Sequence, residues 1–131
     1  MTTTTFIEPF ALAGKWILSW GHGGGGAALV EQGPITFDSD PDRPGIFTAT
    51  REDIGRLEAR VFTLSRPLGA AYNLNEQTAI SILQTGDNYV AVWSGYHVLT
   101  QTPPNALPTG RIQGWWCDGA MGNGPFELHR A

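Results

Sequence analysis

Cysteine is almost missing from this sequence. Cys117 stands alone in 131 residues, so no internal disulfide can form and a disulfide-stapled secreted domain is excluded. Lysine is equally scarce, with Lys15 the only one, and charged residues make up only 15% of the chain. Solvent-facing helices consume Glu, Lys and Arg, so this shortage argues against long surface helices. The net charge of −4 and the lack of any Lys/Arg cluster exclude a nucleic-acid footprint and a polybasic membrane patch. No run of about 18 apolar residues exists to span a bilayer. The N-terminal MTTTTFIEPFALAG has neither a basic start nor a continuous apolar stretch, so no secretory signal is read there and a cytoplasmic protein is expected.

What is plentiful is turn chemistry: 17 Gly and 9 Pro among 41% apolar residues, enough for one core. Between these turns lie strand-like runs at Lys15–Trp20, Ala28–Phe37, Ile46–Arg51, Arg56–Leu64, Thr78–Thr85, Tyr89–Thr100, Arg111–Asp118 and Pro125–Arg130. Gly33-Pro34 marks a bend or bulge in the second. Gly86-Asp87-Asn88 makes a tight hairpin of about three residues. The connection from Ser65 to Gln77 has room for a helical turn, and QTPPNALPTG is a Pro-rich loop. The expected fold is all-β, an eight-stranded antiparallel up-and-down barrel, in a single domain over 1–131 with residues 1–12 as an N-terminal extension.

The stretch GKWILSWGHGGGG contains the letters G-x-G-x-x-G at Gly21, Gly23 and Gly26. A dinucleotide site needs a helix after those glycines. AALVEQ gives only about two turns before Gly33-Pro34 stops it. No Walker lysine follows either. The run reads instead as a loose lip over residues 21 to 27, costly to order.

Gly14-Lys15-Trp16 opens the first strand and Arg130 closes the last. In a closed barrel these strands are neighbours, and the guanidinium can stack on the Trp16 indole. This pattern resembles the calycin barrels: lipocalins, fatty-acid-binding proteins and avidins. The eight-strand meander, VWSGYHV (92–98) and GRIQGWW (110–116) are most similar to the avidin/streptavidin type. The resemblance implies a cup at one end, with Trp93 and Trp115 or Trp116 as wall tryptophans and Ser94 after Trp93 in the motif. The biotin contacts depart from it. Leu18 stands where that type carries an Asn, and the tail after Asp118 has no further Trp or buried Asp.

One strand register offers Trp16, Leu18, Trp20, Tyr89, Ala91, Trp93, Gly95, Ile112, Gly114, Trp116, Phe126 and Leu128 as inward candidates, which either wall a pocket or fill the core. Gly95 and Gly114 in mid-strand mark a bend or room for a ligand. The opposite register holds Phe62, Ile80, Ile82, Val90, Val92, Tyr96 and Trp115. Adjacent Trp115 and Trp116 must face opposite sides, so one indole points outward and suggests a homo-oligomer, most simply a dimer.

The expected function is binding of one partly apolar or aromatic small molecule, through Trp20, His22, Tyr89, Trp93, Ser94 and Trp116. The alternative is a cyclase or isomerase of a natural-product pathway that uses the same cavity, with Glu58, Tyr96 or His97 as acid or base. Carbohydrate binding through surface Trp is a third possibility. Glu58 and Arg60 read either as an exterior charge ladder or as an inward set. The three histidines are not at metal-ligand spacing, so no metal and no cofactor is expected. Ser94 has no identifiable triad, and Cys117 beside two Trp reads as a buried spectator.

Overall fold

A computed structural model describes residues 12–23, 28–64, 77–99 and 108–131. Eight strands follow in order: β1 Gly14–Trp20, β2 Val30–Ser39, β3 Ile46–Arg51, β4 Gly55–Leu64, β5 Gln77–Gly86, β6 Tyr89–Leu99, β7 Pro108–Asp118 and β8 Asn123–Arg130. Each pairs antiparallel with the next, and β1 pairs with β8, which closes an up-and-down barrel. The expected extension up to residue 11, residues 24–27 of the Gly-rich lip, the Ser65–Gln77 connection up to residue 76 and the Pro-rich loop up to residue 107 fall outside the described residues; Leu12 packs in the core, and Pro108 to Gly110, expected in the loop, already belong to β7.

Side-chain alternation produces these strands. Trp16 and Leu18 are buried while Lys15 before them is exposed and Ile17 between them is half-buried, and Leu57 and Ala59 are buried while Arg56 and Arg60 are exposed. In β2 the register against β1 slips opposite Leu18/Ser19, leaving Gln32 unpaired beside Gly33 at φ +96. The expected bulge is therefore real but falls at Gln32-Gly33, while Pro34 stays in register opposite Ile17. The β5–β6 hairpin is tighter than the sequence suggested. Gly86 pairs with Tyr89, so only Asp87 and Asn88 form the loop, with Asn88 in the left-handed region at φ 59. Between β2 and β3 only two residue pairs are made, Asp38 with Thr48 and Ser39 with Phe47. Pro34 has no N–H to offer that seam, and Arg51 Nη1 instead donates across it to the Pro34 carbonyl at 3.1 Å.

Apart from Tyr89 at the rim, the inward register is as expected along β1, β6, β7 and β8, and two further expectations are corrected. Ile80 and Ile82 face the core, at 2% and 1% exposure, because β5 alternates in phase with Gln84. Cys117 is exposed, one residue out of phase with buried Trp116. Mid-strand Gly95 and Gly114 do not leave space. They pair with each other, and a Cβ on Gly114 would lie 1.9 Å from the Ser94 carbonyl oxygen. The Phe126 ring already fills the gap over Gly95, 3.0 Å from where its Cβ would be. The two glycines let β6 and β7 approach at a bend.

One end of the barrel is solid. Leu12, Trp16, Leu18, Phe37, Ile82, Ile112 and Leu128 are fully buried there and in the middle layer. Trp16 Nε1 donates to the Leu12 carbonyl at 2.8 Å. The Arg130 guanidinium carbon lies 4.1 Å from the Trp16 ring centroid, and its Nη1 donates to the Ala13 carbonyl at 2.8 Å. The first and last strands are thus sealed by a stacked cation.

Candidate functional site

The other end is open. It is ringed by Trp20 and His22 at the end of β1 and by the β3–β4 and β5–β6 turns, and holds a cup of about 810 Å³. Its floor is aromatic. Trp93 and Trp116 are inward neighbours on paired strands, their ring centroids 6.2 Å apart and tilted by 32°. Both are nearly buried, at 4% and 5% exposure, so they plug the barrel and do not line a deep shaft. Phe126 supports Trp93 from below at 5.1 Å, edge to face. Above the floor, Trp20 meets Trp93 edge-on at 5.8 Å, and His22 meets Trp116 edge-on at 5.2 Å.

The floor is locked by hydrogen bonds. Trp93 Nε1 donates to Gln84 Oε1 at 2.9 Å, and Gln84 Nε2 donates to the Ile54 carbonyl at 2.8 Å. Gln84 is buried, so its amide is satisfied at both ends. Trp116 Nε1 donates to the Gly21 carbonyl at 3.0 Å. Gly21 and Gly23 in turn donate their N–H groups to Pro125 and Asn123 of β8. Those two N–H groups therefore hold the start of the lip and are spent for cradling a phosphate. A side chain on Gly124 would lie 1.9 Å from the Gly21 oxygen, so glycine there permits the approach that positions Trp116.

The rim is polar. Tyr89 donates its hydroxyl to Asp118 Oδ2 at 2.9 Å. Asp118 Oδ1 also accepts the backbone N–H of Ala120 and Gly122, so one carboxylate organises the β7–β8 turn. Desolvation and then the Asp118 bond push the Tyr89 phenol up to about 12, and the Tyr89 bond holds the Asp118 carboxyl below its ordinary range. Arg51 clasps Asp53 with two nitrogens, Nε–Oδ1 at 2.7 Å and Nη2–Oδ2 at 2.5 Å. Glu52, Asp53 and Asp87 face Arg56 around the mouth, so carboxylates outnumber guanidinium groups there.

The Tyr89 pair has a pH consequence. Because the folded phenol ionises above the usual value near 10, the unfolded chain loses that proton first as pH rises. The contribution of this phenol to stability is fully present below about pH 10 and is lost between about 10 and 12. Absorbance at 295 nm should show one of the three tyrosines titrating late, near 12, and Asp118→Asn should bring that step back toward 10. A wild-type titration with every tyrosine near 10 contradicts the pairing.

Of the six residues expected to bind ligand, the structure brings five together at this cup: Trp20, His22, Tyr89, Trp93 and Trp116. Tyr89 was expected inward; it sits on the rim, 37% exposed. Ser94 lies apart, exposed on the outer face between Ser81 and Trp115. The expected acid/base residues are not gathered. Glu58 is on the outer face, bound to Arg43 at 2.5 Å, because it is out of phase with buried Leu57 and Ala59. Tyr96 is 70% exposed, out of phase with Trp93. His97 is half-buried towards the sealed end, where desolvation and then Arg130 hold its imidazole below the usual value. Glu127 faces outward yet is covered, accepting from Arg111 Nε at 3.2 Å and Gln113 Nε2 at 3.0 Å.

Gln84, Ile54 and Asp118 were not foreseen. Gln84 had a signal, since it continues the Ile80–Ile82 alternation and a polar residue in that phase must find partners inside. Asp118 and Ile54 act through turns whose shape the letters do not carry. Among the described residues no group of His, Cys, Asp and Glu is placed to hold a metal ion. No described helix is long and apolar enough to cross a membrane. No family model matches the chain, and no curated protein matches it.

Proposed function

We propose that this chain is a binding protein that holds one small, partly apolar or aromatic molecule in the open cup, stacked on the Trp93–Trp116 floor. The observation that carries the reading is the cup itself: about 810 Å³ of space within the range of small-molecule sites, above two locked indoles, with Trp20, His22 and Tyr89 at its edge. A floor whose indole N–H groups are already bonded is pre-organised, so a ligand spends little in ordering it. The closed eight-stranded meander with a cup at one end supports the resemblance to the avidin type, without that type's biotin chemistry. Leu18, at the position of the ureido-binding Asn, is buried in the filled half. The carboxylates of the rim disfavour an acidic ligand. The reading places the protein in the cytoplasm, where exposed Cys117 stays a thiol. The alternative, a biosynthetic cyclase or isomerase, has none of Glu58, Tyr96 and His97 at the cup.

Titrating the chain with 2-naphthalenemethanol and, separately, with 2-naphthoate tests both points through tryptophan fluorescence. The alcohol should shift and quench the emission, with the carboxylate at least several-fold weaker. Trp20→Leu should weaken the alcohol about tenfold, through loss of one partly buried indole contact. Unchanged emission with a broad panel of neutral aromatics sinks the binding reading.

A further inference from the structure

Among the described residues, six of the ten exposed large apolar side chains fall on one side of the barrel, and the other four, Leu29, Val30, Tyr89 and Met121, lie at the open end. On β4, β5, β6 and β7, Phe62 (54%), Leu83 (41%), Val90 (55%), Val92 (43%), Tyr96 (70%) and Trp115 (43%) all point outward. The pairing registers make them contiguous. Phe62, Ala79 and Tyr96 form one row; Ser81, Ser94 and Trp115 the next; Leu83, Val92 and Cys117 a third. Charged side chains stay at the margins, with Arg56, Glu58 and Arg60 on β4 and Arg111 and Glu127 across β7 and β8. The far side of the barrel is different: Lys15, Thr36, Asp38 and Thr50 are exposed there.

We propose that this outer β4–β7 face joins a second copy of the same chain in a twofold dimer. The size of the patch is the first argument. Six large apolar side chains expose several hundred Å², at or above what a monomer usually carries, and with their neighbours they fill about the 800 Å² per partner of a standard interface. Composition is the second: the patch holds a Trp, a Tyr and a Phe and keeps its charges at the margins, as a homodimer contact does. Shape is the third. Ala79, Ser81 and Ser94 make a shallow hollow directly beside the projecting Tyr96 and Trp115. A twofold contact is self-complementary, so one copy's Tyr96 and Trp115 can fill the hollow of the other, and the reverse. A lipid surface fits less well, because the apolar band covers one side only and has serines at its middle.

Sedimentation of the full chain from about 1 to 100 μM tests this. The wild type should run at twice its 14.2 kDa chain mass. Tyr96→Glu and Trp115→Glu should each weaken association at least a hundredfold, and Ser94→Arg, which fills the hollow, should do the same. All three positions are exposed, so the circular dichroism and thermal transition of the dissociated chain should stay those of a folded barrel. A wild type that is monomeric at 100 μM overturns the proposal. So does a dimer that all three variants leave intact, or a monomer that instead floats with phosphatidylcholine vesicles.

Discussion

Trp16→Ala is expected to remove about 3–5 kcal/mol of folding free energy, a large part of the roughly 5–15 kcal/mol that holds a domain of this size. Trp16 is fully buried in the sealed end, so truncation opens a cavity with no easy collapse. It also deletes the bond from Nε1 to the Leu12 carbonyl and the surface on which Arg130 lies. Arg130→Ala should cost less, about 1–2 kcal/mol, because the guanidinium is partly solvated. The informative quantity is their coupling. With Cζ 4.1 Å from the ring centroid, a double-mutant cycle by urea denaturation should return about 0.5–2 kcal/mol. Arg130→Lys should recover little of it, since an ammonium keeps the charge but loses the flat face and the fork. Additive single effects, with no coupling, contradict the sealed-end geometry.

Gly114→Ala is expected to destabilise by more than about 3 kcal/mol, or to prevent folding, although it adds one methyl group. Its Cβ would lie 1.9 Å from the Ser94 oxygen and 2.5 Å from the Gly95 Cα, both backbone atoms that cannot swing aside. Relief requires β6 and β7 to separate, and those strands carry Trp93 and Trp116, the floor of the cup. The near-ultraviolet signal of the tryptophans should therefore change along with stability. Gly119→Ala is the control: nothing lies within 4 Å of its Cβ, and its effect should stay within about 0.5 kcal/mol. Equal, small effects at both positions refute the close approach.

The contrast between these two glycines also shows how far letters carry. Alternation over Trp16–Leu18–Trp20 and Ala91–Trp93–Gly95 is enough to name an inward candidate face but not to choose between the two registers, and the G-x-W start with Arg130 at the end is enough to expect closure. Those are period-two and chain-end signals, which are local. Whether Gly114 marks empty space or close contact depends on which backbone lies opposite, and that is a register fact. Ile80 and Ile82 were put on the wrong face for a related reason. An Ile/Thr-rich run fits either phase until Gln84 is seen to need buried partners. The cup itself was half legible. Trp20, His22, Tyr89, Trp93 and Trp116 could be gathered from strand ends and the lip, but not that Trp93 and Trp116 would act as a plug. That depends on the barrel's diameter and on Phe126 beneath them. Glu58 and Tyr96 carry chemically useful groups, but strand phase decides where they sit, and each is one residue out of step with a buried neighbour.

The five tryptophans divide by place: Trp20, Trp93 and Trp116 at the cup, Trp16 in the sealed end, Trp115 on the outer face. Their indole N–H resonances in a two-dimensional nitrogen–proton spectrum separate these places in one titration with 2-naphthalenemethanol. Shifts confined to Trp20, Trp93 and Trp116, with Trp16 and Trp115 still, are what a mouth-bound ligand produces. Movement at Trp115 alone, or at none of the five at saturating ligand, contradicts it.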